Sequence, residues 1–280
     1  MSNQSLLEKF CLIGQPVAGN PTHYMIEQAI RQASVDVRFL TFEVSIDEFG
    51  DAMRGIRALG LRGVKITHPH REAVLQYVDR TTDHARLAGA ANCIIREKDQ
   101  LIAENTLGQS VVALLGEVQE KTVMVLGAGP VARAVSAALA LAGVHKIVVA
   151  NRSDTKSKPL VDALNHETST ETISQIWADE PLAIDPQCDF LIHATSLGAT
   201  NPEKPLPIDL ETLRSNLVVV DLTYNHPQTW LVHEARERGC RTINGLEILV
   251  EQTSLALRMW SDIDANRTAM FEAAEEYLVI

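Results

Sequence analysis

Val123-Met-Val-Leu-Gly-Ala-Gly-Pro-Val-Ala-Arg-Ala-Val135 is the stretch on which the fold of this chain turns. Four apolar residues run straight into Gly127-Ala128-Gly129, and a small-residue pattern of helical period continues through Leu141. The pattern reads as a buried strand, a tight glycine turn and the start of a helix. Such a turn brings backbone N–H groups and the positive end of a helix up to a pyrophosphate. Gly127 permits the turn, Gly129 lets a phosphate approach the backbone, and Ala132 fills the third small position of the GxGxxG/A pattern. Pro130 suits the first helical turn but removes one N–H. A second strand, His145-Lys-Ile-Val-Val-Ala150, follows at the spacing of a βαβ unit. The expectation is a dinucleotide held at Gly127, Ala128, Gly129, Pro130 and Val131.

The remaining bulk properties narrow the class. A chain of 280 residues can bury a sizeable core in one or two domains. No apolar run reaches membrane-spanning length and the first residues do not resemble a signal peptide, so no membrane partner is expected. A net charge of −11 argues against nucleic acid. Cys11, Cys93, Cys188 and Cys240 lie far apart without a Cys-x-x-Cys pair. That disfavours both metal and disulfide, and fits a reducing cytoplasm.

The first hundred residues alternate strand-like and helical patterns, predicting a small α/β domain with a mostly parallel sheet. Phe10–Ile13 reads as a strand entering a Gly- and Pro-rich loop, and Thr22 as the cap of a helix to Ala33. Strands are expected at Arg38–Val44 and Gly63–Thr67, helices at Ile46–Leu59 and 71–88, and a hairpin over Cys93–Ala103. After a helix near 108–119 come the glycine turn, a helix over Lys156–His166 with Pro159 in its first turn, and strands at Asp189–His193 and Leu217–Leu222. This alternation predicts a doubly wound sheet with its ligand beyond the carboxyl ends of the strands. The polar groups at 151–153, 195–198 and 221–225 fall at such ends. Leu246–Trp260 reads as a helix returning to the first domain.

The tip of the second strand selects the nicotinamide cofactor. NAD sites usually carry an acidic residue there, whereas this chain has Asn151-Arg152-Ser153, with Lys156 and Lys158 close behind. A guanidinium suits a 2′-phosphate. NADP is therefore expected, with NAD the alternative because Asp154 can engage a ribose hydroxyl.

Taken together, these motifs resemble those of the shikimate dehydrogenases over nearly the whole chain and in the same order. Ile13-Gly-Gln-Pro-Val-Ala18 is similar to the opening loop, Gly63-Val-Lys-Ile-Thr-His-Pro-His-Arg71 to the G-x-N-V-T-x-P-F-K segment, and Ala88-Gly-Ala-Ala-Asn-Cys93 to A-G-A-V-N-T. Glu104-Asn-Thr-Leu-Gly108 resembles D-N-T-D-G, and Gly245-Leu-Glu-Ile-Leu-Val-Glu-Gln252 resembles a helix start bearing a substrate glutamine. The resemblance implies an α/β protein of two domains. One is a substrate domain of residues 1–104 with 246–280, and the other a Rossmann-type NAD(P) domain of residues 105–245. It carries substrate binding onto Asn20, Thr22, Thr67, Asn92, Asn105, Tyr224 and Gln252, and extends the cofactor site to Thr195, Ser196, Leu197, Leu222 and Gly245. It permits a monomer or a homodimer. The implied substrate is a hydroxylated cyclic carboxylic acid such as shikimate, quinate or a relative.

The chain departs from the pattern at the reacting centre. The family's paired serines fall on Asn20 and Thr22, and its catalytic lysine and aspartate fall on Arg71 and Leu107. Arginine stays protonated and leucine moves no proton, so the family's acid–base pair is missing. Lys65 stands where the family has a substrate-binding asparagine. It lies two residues from Thr67 on one strand, hence on the same face. A lysine desolvated there beside cationic Arg71 has its pKa lowered into a useful range. Lys65 is accordingly the expected proton carrier, with Arg71 as electrostatic support; the alternative is that Lys65 merely pairs with a substrate anion. His23, His68 and His70 read as structural. The leading functional reading is a divergent NAD(P)-dependent oxidoreductase of this family. The other is a catalytically inactive sensor that keeps the dinucleotide and ligand sites.

Overall fold

The computed structural model describes residues 7–177 and 180–279. The chain divides into two compact units, Met1–Thr106 with Val250–Ile280, and Leu107–Leu249.

In the first unit, β1 (Glu8–Gly14), α1 (Thr22–Ala33), β2 (Val37–Glu43), α2 (Phe49–Leu59) and β3 (Gly63–Ile66) follow one another as a wound βαβαβ unit. Next come β4 (Arg80–Thr81), α3 (Asp83–Ala88) and the hairpin β5 (Cys93–Glu97) with β6 (Gln100–Glu104). The sheet order is β2-β1-β3-β5-β6-β4. It is a mixed sheet, because β5 runs antiparallel to both β3 and β6. The hairpin turns at Lys98, whose φ is 56°.

Two local expectations need correction in this unit. Residues 71–88 are not one helix but a short 3₁₀ turn, Ala73–Gln76, then β4 and α3. The chain is diverted because Asp79 accepts from the Leu101 amide and from Arg57, while β4 pairs with β6. Thr82 then caps α3 through the Ala85 amide. Thr22 is not a cap but the first residue of α1; the carboxamide oxygen of Asn20 accepts from its amide at 3.0 Å.

The second unit holds β7 (Thr122–Leu126), α5 (Pro130–Leu141), β8 (Lys146–Asn151), α6 (Asp154–Glu167), β9 (Glu171–Ile176), β10 (Phe190–His193), β11 (Val218–Asp221), α7 (Trp230–Glu237) and β12 (Arg241–Ile243). Its order is β12-β11-β10-β7-β8-β9, and every pairing is parallel. That is a doubly wound sheet reversing direction between β7 and β10. The strands around this point are buried throughout, which is why they read as unbroken apolar runs. Helix α6 begins at Asp154, so Pro159 lies inside it rather than in its first turn. The hydrogen bond it forfeits would have gone to the carbonyl of Thr155, which lies on an exposed stretch.

Two helices straddle the division. α4 (Thr106–Leu115) ends at Gly116, whose φ of 87° stops it short of residue 119. α8 (Gly245–Ser261) enters the first unit from Val250, and α9 (Arg267–Leu278) follows. None of the helices among the described residues is long and apolar enough to cross a membrane.

Candidate active site

Lys65 sits in the middle of β3, only 4% exposed. Its Nζ donates to Thr106 Oγ1 at 3.4 Å and to the Gln252 carbonyl at 3.3 Å. No carboxylate among the described residues lies within ion-pair distance of it. Burial lowers its pKa from 10.5 to about 8; the nearby Cys93 thiol opposes the shift and the Arg71 charge adds to it. Cys93 is itself pushed up by burial to about 12, so it stays a neutral thiol.

The polar groups around Lys65 form a chain whose direction is fixed by chemistry. The Thr106 amide donates to one side-chain atom of Asn92 at 2.8 Å, and a backbone N–H can do nothing else. That atom is therefore Oδ1, which also accepts from Thr106 Oγ1 at 3.1 Å. Asn92 Nδ2 must then face Gln252, donating to its Oε1 at 2.7 Å. Gln252 is left with its Nε2 amide, and the Lys65 ammonium with the third of its protons. The cluster thus ends in donors, and offers them to an oxygen-rich ligand.

The other residues expected at the substrate end are placed as follows. Thr67 lies just beyond β3, and its methyl group occupies the space that a Cβ on Gly14 would need. Asn20 keeps its carboxamide oxygen on the Thr22 amide, and Thr22 is buried. Asn105 donates its side-chain amide to the Ala90 carbonyl at 2.9 Å, a use within the loop that precedes β5. Arg71 is half-buried and its carbonyl accepts from the Ala91 amide. Leu107 and Tyr224 belong to the second unit; Leu107 is buried in α4, and Tyr224 is half-buried in the loop after β11. Thr106 was not singled out by sequence reasoning, although it lies inside Glu104-Asn-Thr-Leu-Gly108 and is the hub of the cluster. His70 is buried, its Nε2 lying 2.8 Å from the Val44 carbonyl and its ring stacked on Phe49 at 4.1 Å.

The second unit builds a dinucleotide cradle at one end of its sheet. Register aligns Leu126 with His193, and His193 with Asp221, so the loops after β7, β10 and β11 leave from a common edge. Gly127 has a φ of 111°, and a Cβ there would stand 3.1 Å from both the Ala194 carbonyl and the Thr195 methyl. A Cβ on Gly129 would meet nothing within 4 Å, which leaves open space over the turn. Gly129 is the N-cap of α5 with no side-chain cap, and Pro130 follows as its first residue. Ala128 is buried, and Val131 is half-buried at the helix start. Uncapped N–H groups beneath open space fit a pyrophosphate. At the tip of β8, Arg152, Ser153 and Lys156 are exposed, while Asn151 donates to the Ser153 carbonyl at 2.9 Å. Asp154 is occupied, its Oδ1 accepting from Ser174 at 2.9 Å. Thr195 accepts from the Leu197 amide at 3.1 Å, Ser196 is exposed, and the Leu222 amide donates to the His193 carbonyl. Gly245 opens α8 where a Cβ would collide with the Thr223 backbone at 2.4 Å.

A parallel doubly wound unit with such a cradle, in a chain whose other unit carries a polar donor cluster, defines a nicotinamide-dependent oxidoreductase. Residues 12–94 match the shikimate dehydrogenase substrate binding domain, and residues 109–224 match the shikimate/quinate 5-dehydrogenase family. The chain belongs to the shikimate dehydrogenase family. It is 32% identical over 260 residues to the shikimate dehydrogenase (NADP(+)) of Bacillus subtilis, covering 91% of this chain and 92% of that one. Among solved structures, the ligand-free 5-ketofructose reductase of Gluconobacter superposes with a TM-score of 0.93 at 32% identity, covering 96% and 98% of the two chains. The shikimate 5-dehydrogenase of Listeria monocytogenes, bound to shikimate and NAD, gives 0.87 at 26% identity over 95% and 96%.

Proposed function

We propose that this protein is an NADP-dependent oxidoreductase that interconverts a secondary hydroxyl and a ketone on a small polyhydroxylated substrate, with Lys65 as its acid–base group. The observation that carries the reading is the buried Lys65 ammonium, held by Thr106 and Gln252 with one proton to spare. The coenzyme would supply the redox chemistry, NADP⁺ taking up a hydride and NADPH giving one. Residues 127–131 would hold its pyrophosphate, with Thr195, Ser196, Leu197, Leu222 and Gly245 around the remainder.

In the reducing direction, Lys65 donates a hydrogen bond to the substrate carbonyl oxygen and passes its proton there as the alkoxide develops. The neutral amine that remains keeps its contacts with Thr106 and Gln252, and regains a proton from solvent. In the oxidising direction the amine takes the hydroxyl proton. Arg71 adds positive charge near the same oxygen without exchanging a proton. Gln252 Nε2 and Thr67 orient neighbouring hydroxyls. Leu107 takes no part in proton transfer, and Asn105 holds the loop that supports Asn92.

The favoured substrate class is a neutral polyhydroxy ketone rather than a cyclic carboxylic acid. A carboxylate needs several converging donors, and in the first loop Thr22 is buried and Asn20, its carboxamide oxygen used on the Thr22 amide, has only its Nδ2 amide to give. Likeness to 5-ketofructose reductase supports the same class. The deciding measurement compares kcat/KM for 5-ketofructose with NADPH against shikimate and quinate with NADP. We expect the ketose to lead by about 10²-fold or more. Faster turnover of shikimate or quinate would overturn the substrate class, and tight NADPH binding without turnover of any of them would favour a sensor instead.

Arg152 is assigned to the 2′-phosphate, and the engagement of Asp154 with Ser174 supports that assignment by occupying one oxygen of the acidic competitor. Arg152→Ser is expected to raise KM for NADPH by about 10- to 100-fold, the worth of a charge-assisted bond, and to leave KM for NADH unchanged. Equal effects on both coenzymes would refute it.

A further inference from the structure

Beneath the cradle lies a buried polar chain that the mechanism above does not use. His193 and Asp221 end the neighbouring strands β10 and β11 in register, with side chains only 1% and 2% exposed. His193 Nε2 lies 2.6 Å from Thr195 Oγ1. Its Nδ1 stands 3.2 Å from Asp221 Oδ1, but out of line for a directed hydrogen bond, so that contact is chiefly electrostatic. Asp221 is anchored in turn, accepting from Thr229 Oγ1 at 2.7 Å and from the Thr223 amide at 2.9 Å. Burial pushes its carboxyl up, yet these bonds and His193 outweigh that and hold it below the ordinary carboxylate range.

The donors and acceptors admit one assignment for the neutral ring. An ionised carboxylate only accepts, so the ring proton sits on Nδ1 and Nε2 carries a lone pair. Thr195 must then donate its hydroxyl proton to Nε2, while its oxygen accepts from the Leu197 amide. One lone pair of Thr195 Oγ1 remains. The same side chain abuts the glycine turn, since its methyl group is 3.1 Å from where a Cβ of Gly127 would stand.

We propose that His193, set by Asp221, is a positioning residue that turns Thr195 Oγ1 into a fixed acceptor for a donor group of the bound dinucleotide. Left alone, a threonine hydroxyl rotates and offers either a proton or a lone pair; the His193 contact removes that choice. The donor it recognises is a carboxamide N–H or a ribose O–H, two groups of one chemistry. The inference rests on the dinucleotide reading of the second unit, and its test separates the two.

NADPH dissociation constants, read by coenzyme fluorescence, are measured for His193→Asn, Thr195→Val and the double variant, with thermal melts alongside. Asparagine reaches the Nδ1 position but not Nε2. Each single variant is expected to weaken NADPH binding by about tenfold, the worth of one hydrogen bond, with the double variant no weaker than Thr195→Val. His193→Gln, whose amide reaches the Nε2 position, restores most of the affinity. Additive losses, or an affinity change that merely tracks the melting temperature, would overturn the proposal. An unchanged affinity in Thr195→Val would remove Thr195 from the dinucleotide site and the proposal with it, whereas full affinity in His193→Asn beside a weakened Thr195→Val would refute the positioning role alone. The coenzyme analogue with an acetyl group in place of the carboxamide identifies the donor. Loss of the Thr195→Val effect on it assigns the N–H, and persistence assigns the ribose hydroxyl.

Discussion

Lys65→Met is expected to lower kcat/KM for ketone reduction by roughly 10²–10⁴-fold, the usual contribution of a positioned acid. Methionine keeps the length and apolar stem of lysine, so packing in β3 survives while the proton is lost. NADPH binding is expected to stay within a factor of about two, since the cradle belongs to the other unit. The pH profile supplies a second check. With a lysine pKa of about 8, reduction falls as pH rises through that value because the ammonium loses its proton. Oxidation, which needs the amine, rises over the same range. The Lys65→Met profile is flat there. Stability moves the other way. The folded pKa lies below the unfolded value of 10.5, so the unfolded chain binds more protons between about 8 and 10.5, and folding is penalised at all lower pH. That shift corresponds to roughly 3 kcal/mol at neutral pH, offset in part by two hydrogen bonds lost in the variant. Lys65→Met should therefore melt no lower than the parent at pH 7. A variant that is inactive and also unstable would implicate packing, and one that is stable with full turnover would remove Lys65 from the chemistry.

A buried lysine that weakens folding and has no carboxylate partner is what a functional group looks like when stability alone does not account for it. Arg71, six residues further along the chain, answers to a different physics. Its charge acts at a distance and cannot be withdrawn by any workable pH, so it tunes Lys65 whether or not it touches substrate. On the proposed reading, the division of labour expected from a single lysine–aspartate pair would be spread over Lys65, Arg71 and the Gln252 amide, with Thr106 holding Lys65 in place.

What could be read from the sequence follows from how much each segment depends on its own residues. The strands β7, β8, β10 and β11 are buried on both faces, and their apolar runs announce a parallel sheet without help from anything distant. The glycine turn is similarly local. β9 escaped because it is an edge strand, Glu171-Thr-Ile-Ser-Gln-Ile176, largely exposed and polar, and held by pairing with β8 and by side chains of α6 that the strand's own residues do not announce. The failed helix at 71–88 has the same cause in reverse: Asp79 and β4 take their structure from Leu101 and β6, some twenty residues on. In the candidate site, spacing singled out Lys65 and Thr67 as neighbours on one strand, whereas β3 ends at Ile66 and Thr67 lies just beyond it. No spacing rule links Lys65 to Thr106 or Gln252, which meet it through the sheet and α8. His193 and Asp221 were hidden for the same reason, since only strand register brings them together.

Trp260→Ala is expected to cost the first unit about 3–5 kcal/mol, the loss found for a fully buried aromatic, with further loss from an orphaned acceptor. Trp260 is completely buried on α8, with its ring 5.1 Å from Phe10 and its Nε1 donating to the Ile94 carbonyl at 3.0 Å. It lies so close to β3 that a Cβ on Gly63 would come within 2.3 Å of the indole. Gly63 is thus glycine because the tryptophan occupies the place of its side chain, although its backbone is ordinary. Gly63→Ala should therefore be destabilising by about 1–3 kcal/mol, and by less in a Trp260→Leu background, where the smaller side chain vacates the space. Denaturant titrations of the two single variants and the double give the coupling directly; additivity would mean that the contact does not constrain the glycine. The consequence reaches the chemistry. Gly63 and Lys65 share β3, and Gln252, whose carbonyl accepts a hydrogen bond from Lys65, shares α8 with Trp260. Packing of the indole into the glycine notch sets the spacing between strand and helix, and with it the distance over which Lys65 is held. A Trp260→Leu protein that still folds should therefore lose kcat more than NADPH affinity, and its reduction profile should shift toward higher pH as water reaches the loosened ammonium and its pKa returns toward 10.5.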